Sequence, residues 1–262
     1  MTAPPPYPRI AHLVSGRGTR DDLDLGPAEV TELLGRPVVV EEKLDGANVV
    51  VWADAGQVKC ALRSGPGAMD RAGQLGPLKA WLGERDEVIR PVVEGGAALY
   101  AEWLLLTHSV AYERLPAYLV VLDLWRDGTG FLGVDERNRA CRAAGLATPP
   151  ELLRGVAGRV DAIEALLGPS AWGPGPMEGL VVRTLHDPGR RAKMLRAGFD
   201  RLDDEAWRRG RRPRNRLADQ ERRGAEQPGP GGPGLRGAGH RPRPLRGPAH
   251  AGVEPLGQGL AA

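Results

Sequence analysis

Short apolar runs separated by turns dominate the first 200 residues of the chain. The runs PVVVEE at residues 37–42, NVVVW at 48–52 and QVKCALR at 57–63 predict three strands. The tripeptide Asp54-Ala55-Gly56 predicts a turn between the last two strands. Four further runs predict strands at residues 97–106, 117–125, 179–184 and 193–195.

Apolar residues near helical spacing predict a long helix at residues 75–90. The apolar positions of this helix are Leu75, Leu78, Trp81, Leu82 and Val88. Two shorter helices are predicted at residues 135–144 and 160–167. Strands grouped in meanders with interspersed helices favour the α+β class, with a mainly antiparallel sheet.

Charge and composition divide the chain into two parts. Residues 1–200 hold 23 Lys and Arg against 26 Asp and Glu, whereas residues 201–262 hold 13 Arg against 7 acidic residues. Residues 224–262 contain 11 Gly and 7 Pro and almost no large apolar side chains. Such a segment cannot bury enough surface to offset its ordering entropy. We therefore predict a folded domain at residues 1–220 and a disordered tail rich in Gly, Pro and Arg at residues 221–262.

Several classes of protein are excluded by the sequence. Cys60 and Cys141 match no zinc or redox spacing, and two cysteines make no disulfide framework. The chain has no phosphate loop, no nucleophile elbow and no pair of histidines at metal spacing. The first residues lack the apolar core of a signal peptide, and Glu102 and Asp123 interrupt the most apolar stretches. We expect a cytoplasmic protein without a membrane span.

Lysine is rare in this chain, where four lysines stand against 32 arginines. One of them, Lys43, lies in the sequence Glu42-Lys43-Leu44-Asp45-Gly46-Ala47-Asn48. A lysine in a chain so rich in arginine indicates a position that needs an amine. Lys can lose its proton and act as a nucleophile, whereas Arg cannot. The same sequence also fits a hairpin turn with Asp-Gly at its tip and an exposed lysine beside it.

Five further short motifs follow the lysine motif along the chain. They are LRS at residues 62–64, LYAEW at 99–103, YLVVLDLW at 118–125, EGLVVR at 178–183 and RAKMLR at 191–196. Their order and spacing resemble those of the covalent nucleotidyltransferases, the superfamily of polynucleotide ligases and mRNA-capping enzymes. The sequence is most similar to the RNA-ligase branch at Asn48, over residues 105–125 and in the N-terminal residues around Tyr7.

The resemblance implies a minimal adenylyltransferase domain of the α+β class, with mainly antiparallel sheets and flanking helices. We expect no full OB domain, because the roughly 20 ordered residues expected after Lys193 are too few for one. It implies that Lys43 attacks ATP and forms a lysyl-AMP intermediate, with Asp45 and Asn48 as further catalytic residues. The residues that it assigns to the nucleotide are Glu42, Lys43, Gly46, Arg63, Glu102, Leu122, Glu178 and Lys193. Glu178 and Glu102 are the implied ligands of Mg²⁺ or Mn²⁺, which neutralises charge on the transferring phosphoryl group.

The activity implied is ATP-dependent joining of RNA ends that carry a 3′-hydroxyl and a 5′-phosphate. An RNA end-healing enzyme is a candidate partner, and we expect a monomer.

Two positions depart from the family pattern. Leu122 stands where the family usually has an aromatic residue before Asp123. Arg191 stands where the family often has a lysine, and an arginine can also bind a phosphate. The alternatives are a DNA ligase or a capping-type guanylyltransferase on the same fold, or a degenerate homologue that only binds nucleotide or RNA.

Overall fold

The computed structural model describes residues 4–14, 23–63, 73–199 and 213–218. The helices in these ranges are α1 (Pro27–Leu34), α2 (Leu75–Gly83), α3 (Asp86–Val93), α4 (Val134–Ala143) and α5 (Val160–Glu164). The strands are β1 (Ala11–His12), β2 (Val38–Lys43), β3 (Ala47–Asp54), β4 (Gln57–Leu62), β5 (Ala97–Trp103), β6 (Leu119–Arg126), β7 (Gly130–Phe131), β8 (Glu151–Gly155), β9 (Gly179–Thr184) and β10 (Arg191–Leu195). None of the helices in these ranges is long and apolar enough to cross a membrane.

The chain divides into two units, Met1–Glu226 and Gln227–Ala262, and every described residue belongs to the first unit. The predicted tail at residues 221–262 lies outside the described residues. The boundary at residue 220 therefore stays a prediction.

The strands form two five-stranded sheets. The first sheet has the order β1-β10-β9-β2-β8, and the second has the order β4-β3-β5-β6-β7. Every pair of neighbouring strands is antiparallel except β1 with β10. The predicted α+β class with mainly antiparallel sheets is therefore confirmed, and the described strands close no barrel.

Because successive side chains of a strand point to opposite faces, the two faces of the first sheet pack against different parts of the molecule. Val40 of β2 and Val182 of β9 pack into a core with Leu33 of α1 and Ile163 of α5. The intervening positions form the opposite face, which looks towards the second sheet. They include Glu41, Lys43, Val181, Arg183, Arg191 and Lys193.

The second sheet has its larger core on its outer side, where helices cover it. Trp103 of β5 packs there with Leu78 of α2 and Ile89 of α3. The inner face carries a smaller cluster that contains Tyr100, and Tyr7 from the N-terminal segment packs into the same cluster. The two sheets thus each bury one apolar face and turn a mixed polar face towards each other.

Buried charges join these two inner faces. Arg183 of β9 donates to Glu41 of its own sheet at 2.8 Å and to Asp123 of β6 at 2.8 Å. Arg191 of β10 pairs with Asp123 as well, and the Tyr7 hydroxyl donates to the same carboxylate. Burial alone would raise the pKa of Asp123, but the two guanidinium groups outweigh it and lower the pKa.

The predicted helix at residues 75–90 is wrong in its extent, because two helices, α2 and α3, take its place. Gly83 ends α2, and Asp86 begins α3, where an acidic side chain favours the positive end of a helix. The break brings Leu82 of α2 and Ile89 of α3 into one core. The other predicted helices and strands are present, with ends that differ by a few residues.

The residue pattern misses four short elements, namely α1, β1, β7 and β8. Helix α1 begins at Pro27 after Gly26, whose N–H donates to Glu29 Oε2 at 2.7 Å. These are ordinary start signals of a helix. The three strands are two, two and five residues long, which is too short for an alternating pattern to show.

Candidate active site

Lys43, the last residue of β2, forms an ion pair with Glu178. The register of β2 with β9 pairs Lys43 with Gly179, which places residue 178 beside the lysine. The Lys43 Nζ donates to Glu178 Oε2 at 2.7 Å. The lysine side chain is 18% exposed and the glutamate side chain 1% exposed. The amine is therefore reachable from solvent, while its partner is buried.

Glu102 of β5 approaches this pair from the second sheet. Its carboxylate accepts the Gly46 N–H at 3.1 Å and the Asn48 Nδ2 at 3.3 Å. Burial raises the pKa of Glu102 to about 7; the neighbouring Lys43 opposes this shift and Glu178 adds to it. The carboxyl group therefore changes its charge near neutral pH.

The turn that connects β2 to β3 is packed tightly at Gly46. A Cβ at this position would lie 2.7 Å from the Trp103 carbonyl oxygen and 2.7 Å from the Leu104 side chain. Beyond the turn, Asn48 of β3 lies opposite Glu102 in the strand register. The Asn48 Oδ1 is buried and has no hydrogen-bond partner among the described residues. Such an oxygen suits a bound hydroxyl group or cation.

The side chain of Asp45 ties the lysine turn to a neighbouring loop. Its Oδ2 accepts the backbone N–H of Ser109 at 2.6 Å and of Val110 at 2.7 Å. Its own N–H donates to the Tyr112 hydroxyl at 2.9 Å. These contacts give Asp45 a part in holding the turn, and its catalytic role stays a prediction.

Glu42 lies on the face of the first sheet opposite to that of Lys43. Its carboxylate accepts the Ser170 hydroxyl at 2.6 Å and the Ala171 N–H at 2.9 Å. Burial raises the pKa of Glu42, and these hydrogen bonds oppose the shift. The side chain thus anchors the loop that precedes β9. A contact between Glu42 and the nucleotide stays a prediction.

Lys193 of β10 shares the inner face of the first sheet with Lys43. The register pairs Lys193 with Val181, and Val181 with Glu41, two residues before Lys43. Lys193 is buried, with 8% of its surface exposed. The fold therefore directs a second lysine into the space between the sheets.

Leu122 and Arg63 lie at less central positions. Leu122 is half-buried in β6 and packs against the cluster that contains Tyr7. Arg63 follows β4 and is exposed, and its N–H donates to the Asn48 carbonyl oxygen at 2.9 Å. Ser64 of the same motif lies outside the described residues. The predicted roles of Leu122 and Arg63 in nucleotide binding stay predictions.

A family model described as RNA ligase matches residues 36–195. The match spans more than half of the chain and includes Lys43, Glu102, Glu178 and Lys193. The chain belongs to the RNA ligase family. The resemblance that its motifs show is thereby confirmed. A search of curated proteins finds no significant match to this RNA ligase family member.

Solved structures of a Naegleria gruberi RNA ligase are among the matches. An apo mutant is 19% identical with a TM-score of 0.49, over 63% of this chain and 50% of that chain. The same protein with PPi is 19% identical with a TM-score of 0.49, over 74% and 61% of the two chains. A mutant with ATP and Mn is 18% identical with a TM-score of 0.46, over 63% and 51%. This chain therefore matches less than two thirds of that protein's length.

Arg191, which departs from the family pattern, has a structural role in this RNA ligase family member. Its Nη1 donates to Asp123 and to the Tyr7 hydroxyl. Its guanidinium carbon lies 5.0 Å from the centre of the Tyr7 ring and 4.6 Å from that of Phe131. The Nη2 is buried and has no hydrogen-bond partner in the described part of the chain. Arg191 thus connects the two sheets.

Sequence reasoning missed Ser170 and Asn215, which support the site from outside the motifs, and it gave Tyr112 no role in the site. Ser170 binds Glu42, Tyr112 binds the Asp45 N–H, and Asn215 binds the loop that contains Tyr112. Asn215 lies 103 residues from Tyr112 along the chain. No local pattern marks such a residue, because its partners are brought to it only by the fold.

The donor set at Lys43 fits a divalent cation that binds together with a phosphate. No cluster of three or more His, Cys, Asp or Glu in the described ranges is arranged to hold a metal ion by itself. Glu102 and Glu178 both neighbour Lys43, and the Asn48 Oδ1, which has no partner among the described residues, adds a third oxygen. Magnesium characteristically binds through one or two carboxylates and substrate phosphates, and it keeps several waters. The site therefore matches the ligand preference of Mg²⁺ or Mn²⁺.

Proposed function

We propose that this protein is an ATP-dependent RNA ligase that joins a 3′-hydroxyl end to a 5′-phosphate end through a lysyl-AMP intermediate. The observation that carries the proposal is the partly exposed Lys43 amine, paired with the buried Glu178 and flanked by Glu102. All three residues lie in the segment that matches the RNA ligase family. A surface lysine in a hairpin turn needs no such arrangement of buried carboxylates.

The first step is the attack of Lys43 Nζ on the α-phosphorus of ATP. A nitrogen–phosphorus bond forms, the bond to pyrophosphate breaks, and the partly exposed amine releases its proton to water. The Glu178 contact fixes the amine at the end of β2, where a rigid strand holds it for in-line attack. Two further transfers move AMP to the 5′-phosphate of RNA and then release it when the 3′-hydroxyl attacks.

Glu102 and Asn48 bind the nucleotide from the second sheet. The Glu102 carboxyl oxygens accept a hydrogen bond from a ribose hydroxyl. The Asn48 Oδ1 supplies another acceptor beside it. The packing around Gly46 leaves no space for a side chain there, and the Gly46 N–H donates to Glu102. These contacts orient the ribose and α-phosphate relative to Lys43.

Positive charge for the leaving pyrophosphate comes from the first sheet. Lys193 lies on the same face as Lys43, and Arg191, farther along β10, has an Nη2 with no hydrogen-bond partner among the described residues. Glu178, Glu102 and Asn48 Oδ1 would hold Mg²⁺ or Mn²⁺. Such a cation, when bound, neutralises charge on the transferring phosphoryl group and competes with Lys43 for the Glu178 carboxylate.

The decisive experiment incubates the protein with α-labelled ATP or GTP and Mg²⁺ or Mn²⁺, and follows label on the protein after denaturation. We expect label from ATP and none from GTP, and loss of label in Lys43→Ala. Lys79→Ala is the matched control, because Lys79 is an exposed lysine on α2. Label from GTP alone would indicate a guanylyltransferase. The absence of label from both nucleotides would indicate a homologue that only binds.

The choice between RNA and DNA is tested with matched nicked duplexes. The two substrates differ only in whether the nucleotides that end in the 3′-hydroxyl are ribose or deoxyribose. We expect faster sealing of the ribose substrate, because a pocket that contacts the 2′-hydroxyl has that partner only in RNA. Equal rates at the same salt concentration would contradict the RNA preference and leave a general polynucleotide ligase.

A further inference from the structure

A short segment near the end of the described chain closes over the loop that follows β5. We call residues 213–218 the clasp and residues 104–115 the bracing loop. Backbone hydrogen bonds of 2.9–3.0 Å join the two segments along their length. The bonds are Thr107 N–H to Pro213 O, Asn215 N–H to Leu105 O, Arg216 N–H to Tyr112 O, Leu115 N–H to Arg216 O and Ala218 N–H to Leu115 O. The clasp thus covers the bracing loop from Leu105 to Leu115.

Asn215 fastens the clasp with its side chain as well. It is 2% exposed. Its Oδ1 accepts the Thr107 hydroxyl at 2.8 Å and the Tyr112 N–H at 2.9 Å. Its Nδ2 donates to the Leu104 carbonyl oxygen at 2.8 Å. The amide therefore links the start of the bracing loop to its middle, and an apolar side chain of the same size would leave three polar groups without these partners.

The bracing loop in turn holds the turn that follows the nucleophilic lysine. Ser109 and Val110 donate their N–H groups to the Asp45 carboxylate. The Asp45 N–H donates to the Tyr112 hydroxyl at 2.9 Å. Tyr112 therefore links Asn215 to Asp45, which lies two residues after Lys43. Its N–H donates to Asn215, and its hydroxyl accepts the Asp45 N–H.

We propose that Asn215 is a positioning residue for Lys43, and that it acts through Tyr112 and Asp45. The inference rests on the proposed function, in which Lys43 attacks ATP. A misplacement of reacting groups by about 1 Å costs on the order of 10²-fold in rate. The family match ends at residue 195, whereas the clasp begins at Pro213. The part of the chain needed for the chemistry therefore extends past the family motifs to Ala218.

Asn215→Ala in the full chain tests the proposal, with single-turnover formation of lysyl-AMP as the main measurement. We expect the rate constant at saturating ATP to fall by about 10- to 100-fold, with a much smaller change in the ATP concentration for half-saturation. Tyr118→Phe is the matched control, because it removes the Tyr118 hydroxyl bond to the Asn215 carbonyl oxygen at 3.2 Å without touching Tyr112 or Asp45. This control should retain the wild-type rate constant.

A second variant keeps the test informative if Asn215→Ala does not fold. Asn215→Asp keeps the side-chain size and an acceptor for Tyr112, and it replaces the amide donor to Leu104 with a carboxyl group that donates only when it is protonated. It should lose less rate than Asn215→Ala. A double-mutant cycle of Asn215→Ala with Tyr112→Phe, or of Asn215→Asp with Tyr112→Phe, should give non-additive effects on the rate constant, because the two changes affect one chain of contacts. Additive effects would overturn the proposal.

Amide hydrogen exchange separates this proposal from the proposed function. In Asn215→Ala, or in Asn215→Asp, the Asp45, Ser109 and Val110 amides should exchange faster, while amides in the core of the first sheet should not change. Unchanged protection at Asp45 would overturn the positioning role, whatever the activity. If the wild-type protein forms no lysyl-AMP, the proposed function fails, and the exchange data still decide whether Asn215 holds the lysine turn.

Discussion

Glu102 is buried between two sheets with an amine and a second carboxylate as neighbours. Burial raises its pKa to about 7 from an ordinary value of 4.5. Between pH 4.5 and pH 7, Glu102 therefore keeps its proton in the folded protein but has lost it in the unfolded chain. The stability that this group contributes is fully present below about pH 4.5 and is lost as the pH rises through 7.

Glu102→Gln should therefore flatten the pH dependence of unfolding in the absence of nucleotide and metal. Relative to wild type, the variant should gain about 3 kcal/mol of unfolding free energy between pH 4.5 and pH 8, from the shift in pKa. Urea unfolding at several pH values measures this difference. Glu84→Gln at an exposed site is the control for removal of one negative charge. Parallel pH profiles for wild type and Glu102→Gln would contradict the prediction.

At the scale of elements, the site depends on the close approach of β9 and β10. A Cβ added to Gly179, the first residue of β9, would lie 2.1 Å from the Met194 carbonyl oxygen and 2.9 Å from the Leu195 Cα. Both atoms belong to the backbone of β10 and cannot rotate away. The same strand start places Glu178 next to Lys43, so the glycine sets both the sheet spacing and the ion pair.

Gly179→Ala should lower the free energy of unfolding by about 3 kcal/mol, as expected for overpacking against backbone. Gly76→Ala is the matched control on α2, where an added Cβ meets nothing within 4 Å. That variant should be unchanged or slightly more stable, because Ala is the better helix former. Chemical unfolding of both variants gives the comparison. Equal stability of the two would show that the β9–β10 spacing is not limiting.

At the scale of the whole molecule, the charges around Asp123 connect the two sheets. Asp123 is 3% exposed and faces the guanidinium groups of Arg183 and Arg191. Removal of one partner from such a group leaves uncompensated buried charge, which costs more than the original pairing contributes.

Asp123→Ala should therefore lower the free energy of unfolding by about 3–5 kcal/mol. Asp135→Ala removes an exposed partner of Arg154 and should cost less than about 1 kcal/mol. Thermal and urea unfolding of the two variants measure the contrast between a buried and an exposed ion pair. A loss below 1 kcal/mol in Asp123→Ala would show that the sheets are joined by their apolar contacts alone.

The second unit of the chain, Gln227–Ala262, should be dispensable for folding and for adenylylation. Its composition cannot support a core. A chain that stops after Glu226 should keep its melting temperature within about 5 °C and keep its rate of lysyl-AMP formation. Its four arginines should matter only for RNA affinity, in which case the truncation weakens RNA binding and reduces its salt dependence. A larger loss of melting temperature would contradict the predicted disorder.

The sequence by itself determined the family, the strands on either side of the lysine motif, and Lys43 and Glu178 as candidate site residues. These features are local, since a strand, a turn and a short motif each depend on neighbouring residues.

Only the tertiary structure decided which groups share an environment. Asp123 meets Arg183 and Arg191 across two sheets, and Asn215 reaches Tyr112 over 103 residues of chain. No periodic pattern records such pairings, because the register of the strands and the packing of loops bring the partners together. The split of residues 75–90 into two helices places Leu82 and Ile89 in the one core beside the second sheet.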